Sequence, residues 1–93
     1  MSRKMSRKIK MNNKFTTASQ NGHIETVKVL LKDTRINPSI GDNFAVRMAS
    51  RNGHIEVVKI LLEDPRVDPS DYYNDAILNA SNRGHEEIVQ LLL

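Results

Sequence analysis

The chain has 93 residues, three histidines and no cysteine, which leaves room for one domain and excludes a disulfide framework or a thiolate metal site. Its longest apolar runs are triplets such as Val29-Leu30-Leu31 and Ile60-Leu61-Leu62, far short of a membrane span, and the basic N-terminus lacks the apolar stretch of a secretory signal. The net charge of +3 is uneven: residues 1–14 carry six cations and no acid, while the rest carry eight basic and eleven acidic side chains.

These features predict an intracellular protein, cytoplasmic or nuclear, in two electrostatically different parts. The first is a basic tail, residues 1–11. Met1 to Lys10 reads as disordered or loosely helical, with Met1, Met5 and Ile9 at i, i+4 and i+8. Arg3, Lys4, Arg7, Lys8, Lys10 and Lys14 offer contacts to nucleic acid or an anionic membrane, through the tail alone. The simpler reading is a solubilising leader.

From residue 12 the chain repeats every 31 residues. Ala18-Ser19-Gln20-Asn21-Gly22-His23-Ile24-Glu25 aligns with Ala49-Ser50-Arg51-Asn52-Gly53-His54-Ile55-Glu56 and with Ala80-Ser81-Asn82-Arg83-Gly84-His85-Glu86-Glu87. The connectors Asp33 to Ser39 and Asp64 to Ser70 match, and Asn12, Asn43 and Asn74 keep register. Units of about 12–42, 43–73 and 74–93 follow.

Within a unit, Ile55, Val58, Leu61 and Leu62 fall at i, i+3, i+6 and i+7, one stripe of a helix that Pro65 stops. Upstream, Ala76, Ile77, Ala80 and Ser81 form a shorter stripe behind an expected Asn74-Asp75 N-cap. Gly22, Gly53 and Gly84 stand between the two helices, where a left-handed residue reverses the chain. Asn-Gly is also a hairpin signal, but the apolar spacing of three and four on both sides selects the helical turn.

The stretch from Ala49 to Leu62, with two small residues, Gly53-His54, Glu56 and an apolar second helix, resembles the second half of the ankyrin repeat. All three units share it. The resemblance implies an all-α, ankyrin-type helix-turn-helix repeat solenoid with short finger-like connectors and a concave face that binds a protein partner. The Thr-Pro-Leu-His opening of that family is replaced by Asn13-Lys14-Phe15-Thr16, Phe44-Ala45-Val46-Arg47 and Asp75-Ala76-Ile77-Leu78. Its Thr/His bonding is therefore missing, and Asn12, Asn43 and Asn74 are expected to cap in its place. Prolines in the connectors predict short, stiff fingers.

Chemistry is not indicated. His23, His54 and His85 lie one repeat apart, too far to converge on one ion, and by resemblance they bond neighbouring turns. Glu86-Glu87 and Glu63-Asp64 are adjacent in helices and point apart, and the recurring serines fill packing slots. We therefore expect no enzyme activity, no cofactor and no small-molecule substrate. Binding is sought where the units differ: Ile40, Gly41 and Asp42 against Asp71, Tyr72 and Tyr73 in the fingers, and Arg51 and Asn82 on the first helices. The first unit is polar on its outer face (Lys14, Thr16, Thr17), whereas the third runs to Leu91-Leu92-Leu93 without a polar cap. That contrast predicts a longer parent chain or self-association through the third unit.

Overall fold

Two short helices joined by a glycine cannot bury an apolar stripe alone, so the units must stack. A computed structural model describes residues 6–93 and shows that stack as six helices, with no strand among the described residues. The helices are α1 (Arg7–Asn21), α2 (Ile24–Leu31), α3 (Ile40–Arg51), α4 (Ile55–Leu62), α5 (Asp71–Asn82) and α6 (Glu86–Leu92). Each odd-numbered helix packs on the even-numbered helix that follows it. The odd helices form one row and the even helices a second, in a body of 47 × 25 × 21 Å. This is the expected all-α repeat solenoid.

The core threads all three units: Phe15 and Val27, then Val46, Val58 and Leu61, then Ala80 and Ile88. Ile36 and Val67 bring the connectors into the same core. The second helices are short, and their exposed sides carry i, i+3 ion pairs, Glu25–Lys28 at 3.7 Å and Glu56–Lys59 at 3.6 Å. Such exposed pairs contribute a few tenths of a kcal/mol, ~0.2–0.5 each. Burial of the stripe therefore dominates.

Gly22 shows why the turn needs glycine. Its φ is 75°, and the His23 N–H reaches back to the Ala18 carbonyl at 2.9 Å, closing the end of α1. A Cβ at Gly22 would also stand 2.6 Å from Nδ1 of His54, whose ring lies on that turn from the next unit. His85 covers Gly53 in the same way, and its Nε2 lies 3.1 Å from the Arg51 carbonyl. His85 thus bonds the preceding turn, as the resemblance implied, while His54 is packed on the turn before it.

The connectors are rigid by hydrogen bonding as well as by proline. Asp33 accepts from the Arg35 backbone N–H at 2.9 Å and from its guanidinium at 3.0 and 2.8 Å. Asp64 and Arg66 repeat this turn, and Arg66 also donates to the Ile36 carbonyl of the preceding connector at 3.1 Å. Arg35 holds the Asp33 carboxyl at about 2, below its ordinary 3.8, mainly through the side-chain bond. Arg66 likewise lowers Asp64.

Two expectations need correction. Asn12 and Asn43 do not cap their own helices. Asn12, buried inside α1, accepts from the Asn37 backbone N–H at 2.7 Å and donates to the Arg35 carbonyl at 3.3 Å. Asn43 accepts from the Asp68 N–H at 2.9 Å and donates to the Asp71 carboxylate at 2.9 Å. Each amide clamps the connector that leads into the next unit, 25 residues away, because a buried amide there has both a donor and an acceptor within reach. Nor does the Asn74-Asp75 cap form: Asn74 is left-handed at φ 60° and its exposed side chain makes no hydrogen bond among the described residues.

The basic segment is also more ordered than expected where it is described. Ser6 caps α1 by accepting from the Ile9 N–H at 3.2 Å, and the helix runs unbroken through residues 7–12. Met1 and Met5 of the proposed tail stripe lie outside the described residues, and Ile9 is half exposed.

Leu61→Ala should destabilise the fold by about 2–5 kcal/mol, since Leu61 is fully buried at the middle of the stack. Arg51→Ala, on an exposed side chain, should stay within about 0.5 kcal/mol. Denaturant melts showing Arg51→Ala to be the more damaging would contradict this assignment of faces. For Asp33 the folded carboxyl lies below the unfolded one, so its contribution is present above pH 3.8 and is lost as pH falls towards 2. Carbon-detected NMR titration should give Asp33 a midpoint about 2, and Arg35→Gln should return it towards 3.8.

Candidate functional site

The first helices of units two and three begin with an irregular turn. Gly41, Asp42 and Asn43 have φ of 65°, 55° and 59°, and Tyr72, Tyr73 and Asn74 have 58°, 57° and 60°. Three successive left-handed residues are costly for side chains with a Cβ, about 1–2 kcal/mol each. In unit one the aligned Lys10, Met11 and Asn12 continue a regular helix. The turn therefore belongs to the second and third units only.

Hydrogen bonds hold the strained conformation. The Asn43 N–H donates to the Ser39 carbonyl at 3.0 Å and the Asn74 N–H to the Ser70 carbonyl at 2.9 Å. Asp71 accepts from the Tyr72 N–H at 2.8 Å. Arg47, one turn into α3, completes the arrangement. Its Nε donates to the Asp42 carbonyl at 3.0 Å, Nη2 to the Gly41 carbonyl at 3.2 Å, and Nη1 to the Asp75 carboxylate of the next unit at 3.2 Å. The guanidinium also lies over the Tyr72 ring at 4.4 Å and over the Phe44 ring at 5.7 Å. One planar group with donors on two sides and two π faces can satisfy all of these contacts; a lysine cannot.

The result is a pre-set aromatic edge. Tyr72, with Arg47 over its ring, remains 52 % exposed, and Tyr73 packs on it edge-on at 5.9 Å and is 90 % exposed. Ile40, Gly41 and Asp42 stand exposed on the turn of the unit before, and Asp71 is partly buried in its bond to Asn43. Arg47 is the link between the two turns that the expected site residues lacked. Arg51 and Asn82 sit at the far ends of α3 and α5, both exposed. Arg51 is one helical turn beyond Arg47, and Asn82 one turn beyond Leu78, which is 56 % exposed. The eight expected residues thus divide into a turn cluster and a helix-end row, and Arg47 and Leu78 lie between. Both missed residues occupy the place of the family's histidine, and that departure was the available signal.

An open groove of about 880 Å³ runs between α2 and α4, lined by Ile24, Leu31, Ile60 and the Glu25–Lys28 and Glu56–Lys59 pairs. Among the described residues, no three His, Cys, Asp or Glu side chains are grouped to hold a metal ion, and no helix is long and apolar enough to cross a membrane.

Three stacked helix-turn-helix units, with the first two glycine turns covered by the histidine of the next unit, define a repeat protein of the solenoid class. The family model for ankyrin repeats matches residues 15–93 as three copies, and the chain belongs to the ankyrin repeat family. No curated protein and no solved structure matches it.

Arg47→Lys should lower the stability by about 1–3 kcal/mol, because carbonyls of the turn and the Asp75 carboxylate lose charged donors. It should also make tyrosine fluorescence easier to quench as Tyr72 loosens. An unchanged melting midpoint and unchanged quenching would contradict the role given to Arg47.

Proposed function

We propose that this chain is a non-enzymatic interaction module that holds a protein partner along its turn edge and first-helix face. Ankyrin repeats are in general protein–protein interaction modules. The observation that carries the reading is the Tyr72–Tyr73 pair, held out on a strained turn with Arg47 of the preceding unit over the Tyr72 ring. Large aromatic side chains ordered before contact lose little freedom on binding, and tyrosine and arginine are the residues that most often anchor interfaces. Around this anchor, Ile40, Gly41 and Asp42 extend the contact along the turn edge, Asp71 fixes the turn, and Arg51 and Asn82 extend the contact along the helices. The repeat body assigned to binding is residues 12–93, working in the cytoplasm or nucleus.

A second reading has its own observation. Arg7, Lys8, Lys10 and Lys14 are exposed on the first turns of α1 and take part in no ion pair among the described residues. Cations at a helix N-terminus oppose the dipole, so a polyanion there would relieve a local cost. This reading makes the N-terminal segment a tether to nucleic acid or an anionic membrane.

The two readings separate experimentally. In quantitative capture from the cell that makes the protein, Tyr72→Ala with Tyr73→Ala should weaken partner retention at least about tenfold, and Val29→Ala on α2 should not. Equal capture by all three proteins would contradict the turn-edge site. Titration of labelled duplex DNA and anionic vesicles should show no submicromolar binding at physiological salt. Tight binding with a log–log salt slope near about −5, for six phosphate contacts, would instead support the tether.

A further inference from the structure

The turns of units two and three differ from the rest of the chain in charge as well as in shape. Residues 40–46 and 67–82 carry Asp42, Asp68, Asp71 and Asp75 and no cation. The aligned stretch of unit one, residues 5–16, carries Arg7, Lys8, Lys10 and Lys14 and no acid. Direct contacts tie the four acids to the tyrosine pair. Asp71 accepts from the Tyr72 N–H at 2.8 Å and from the Asn43 amide at 2.9 Å, and the Asn43 oxygen receives the Asp68 N–H at 2.9 Å. Arg47, over the Tyr72 ring, bonds the Asp42 carbonyl and the Asp75 carboxylate. Asp75 thus has a cation, whereas Asp42, Asp68 and Asp71 form no ion pair among the described residues. The Ser70 hydroxyl and N–H hold the Asp68 carboxyl below its ordinary value, which keeps it charged at neutral pH. This edge does not owe its exposure to the end of the stack: Ile40, Gly41 and Asp42 are exposed although α5 packs on α3 beside them.

Building on the turn-edge reading, we infer that the Tyr72–Tyr73 edge docks a basic, arginine-bearing segment of the protein partner. Two features select that occupant. Tyr73 is 90 % exposed, and an open tyrosine ring attracts a cation to its negative face. The carboxylates beside it lack counter-ions, so a cationic segment is attracted and an acidic one repelled. The edge already holds one guanidinium in this way: Arg47 lies 4.4 Å from the Tyr72 ring centre and 3.2 Å from the Asp75 carboxylate. An incoming arginine on Tyr73, paired with a neighbouring unpaired carboxylate, would repeat that arrangement one ring further out. A planar guanidinium can stack on a ring and fork to a carboxylate together, which a lysine ammonium cannot.

The test titrates the full chain into a labelled arginine octapeptide, followed by fluorescence anisotropy. Binding should be saturable, weaker at about 0.3 M than at about 0.05 M salt, tighter than that of a lysine octapeptide, and absent for a glutamate octapeptide. Tyr73→Leu should weaken it about threefold or more, and Tyr73→Phe, which keeps the ring, should not. Asp42→Asn should weaken it about twofold to fivefold. Asparagine tolerates the φ of 55° at that place, so the turn survives the change. Glu63→Gln, an equal loss of charge at the end of α4, should leave the affinity unchanged. Equal losses with Asp42→Asn and Glu63→Gln would reduce the binding to net charge and overturn the inference, as would no binding at low salt. It is also overturned if the full chain sediments as a salt-sensitive oligomer that Tyr73→Leu dissociates, because the edge would then hold the basic segment of a second copy. Undiminished partner capture by the Tyr72→Ala, Tyr73→Ala protein would sink the turn-edge reading and this inference with it. Capture lost with those changes but indifferent to Asp42→Asn and to added arginine octapeptide would leave that reading standing and remove the cationic occupant alone.

Discussion

The structure depends on how each connector is seated on the helix of the unit before it. A connector is a stretch of backbone without helical or strand partners, and its polar groups must be satisfied if it is to pack its apolar residue inward. Asn12 and Asn43 meet that need from within the helix row. Each accepts one backbone N–H of the connector, and Ile36 and Val67 are thereby held in the core. The seated connector sets where the next first helix begins. That position in turn decides whether the next histidine falls on the preceding glycine, as His54 does on Gly22. One buried amide per interface therefore ties local conformation to the register of the whole stack.

The same geometry creates the surface on which function is placed. Returning from the connector to the helix row takes a left-handed turn, and three residues there accept an unfavourable conformation. Arg47 offsets that cost through two carbonyls and a carboxylate, and its flat face orders Tyr72. Strain, brace and exposed aromatic ring are thus one arrangement. Unit one lacks the turn and has Thr16 where Arg47 stands, so its end of the array is a smooth polar helix. The surfaces of the array are graded along its length: cationic and helical at α1, aromatic at the start of α5.

Much of this is legible in the sequence. The period, the paired helices and the glycine turn follow from residues that must recur because every unit solves the same packing problem. The role of the asparagines was not legible, since a cap and a clamp require the same residue and differ only in a partner 25 positions away. The left-handed turn was hidden for a related reason. Gly41 suggests it, but the aligned Tyr72 argues against it on local preference, and tertiary bonding decides. Arg47 was visible only as a departure from the family pattern. Ser19, Ser50 and Ser81 show the limit most plainly: the same residue at the same place in the repeat, two fully buried and one exposed, because burial is conferred by the neighbouring unit.

Native-state hydrogen exchange of the Asn37 and Asp68 amides tests the central claim most directly, because these connector N–H groups donate only to Asn12 and Asn43. Both residues are exposed, so an unclamped amide at either place would exchange rapidly. The expected result is protection comparable to that of the helix amides of α3 and α4, lost at Asp68 alone when Asn43 is replaced by Ala under conditions where the fold persists. Fast exchange at both amides in the unaltered protein would show that the connectors are not held by the asparagines, and the account of register would fail with it.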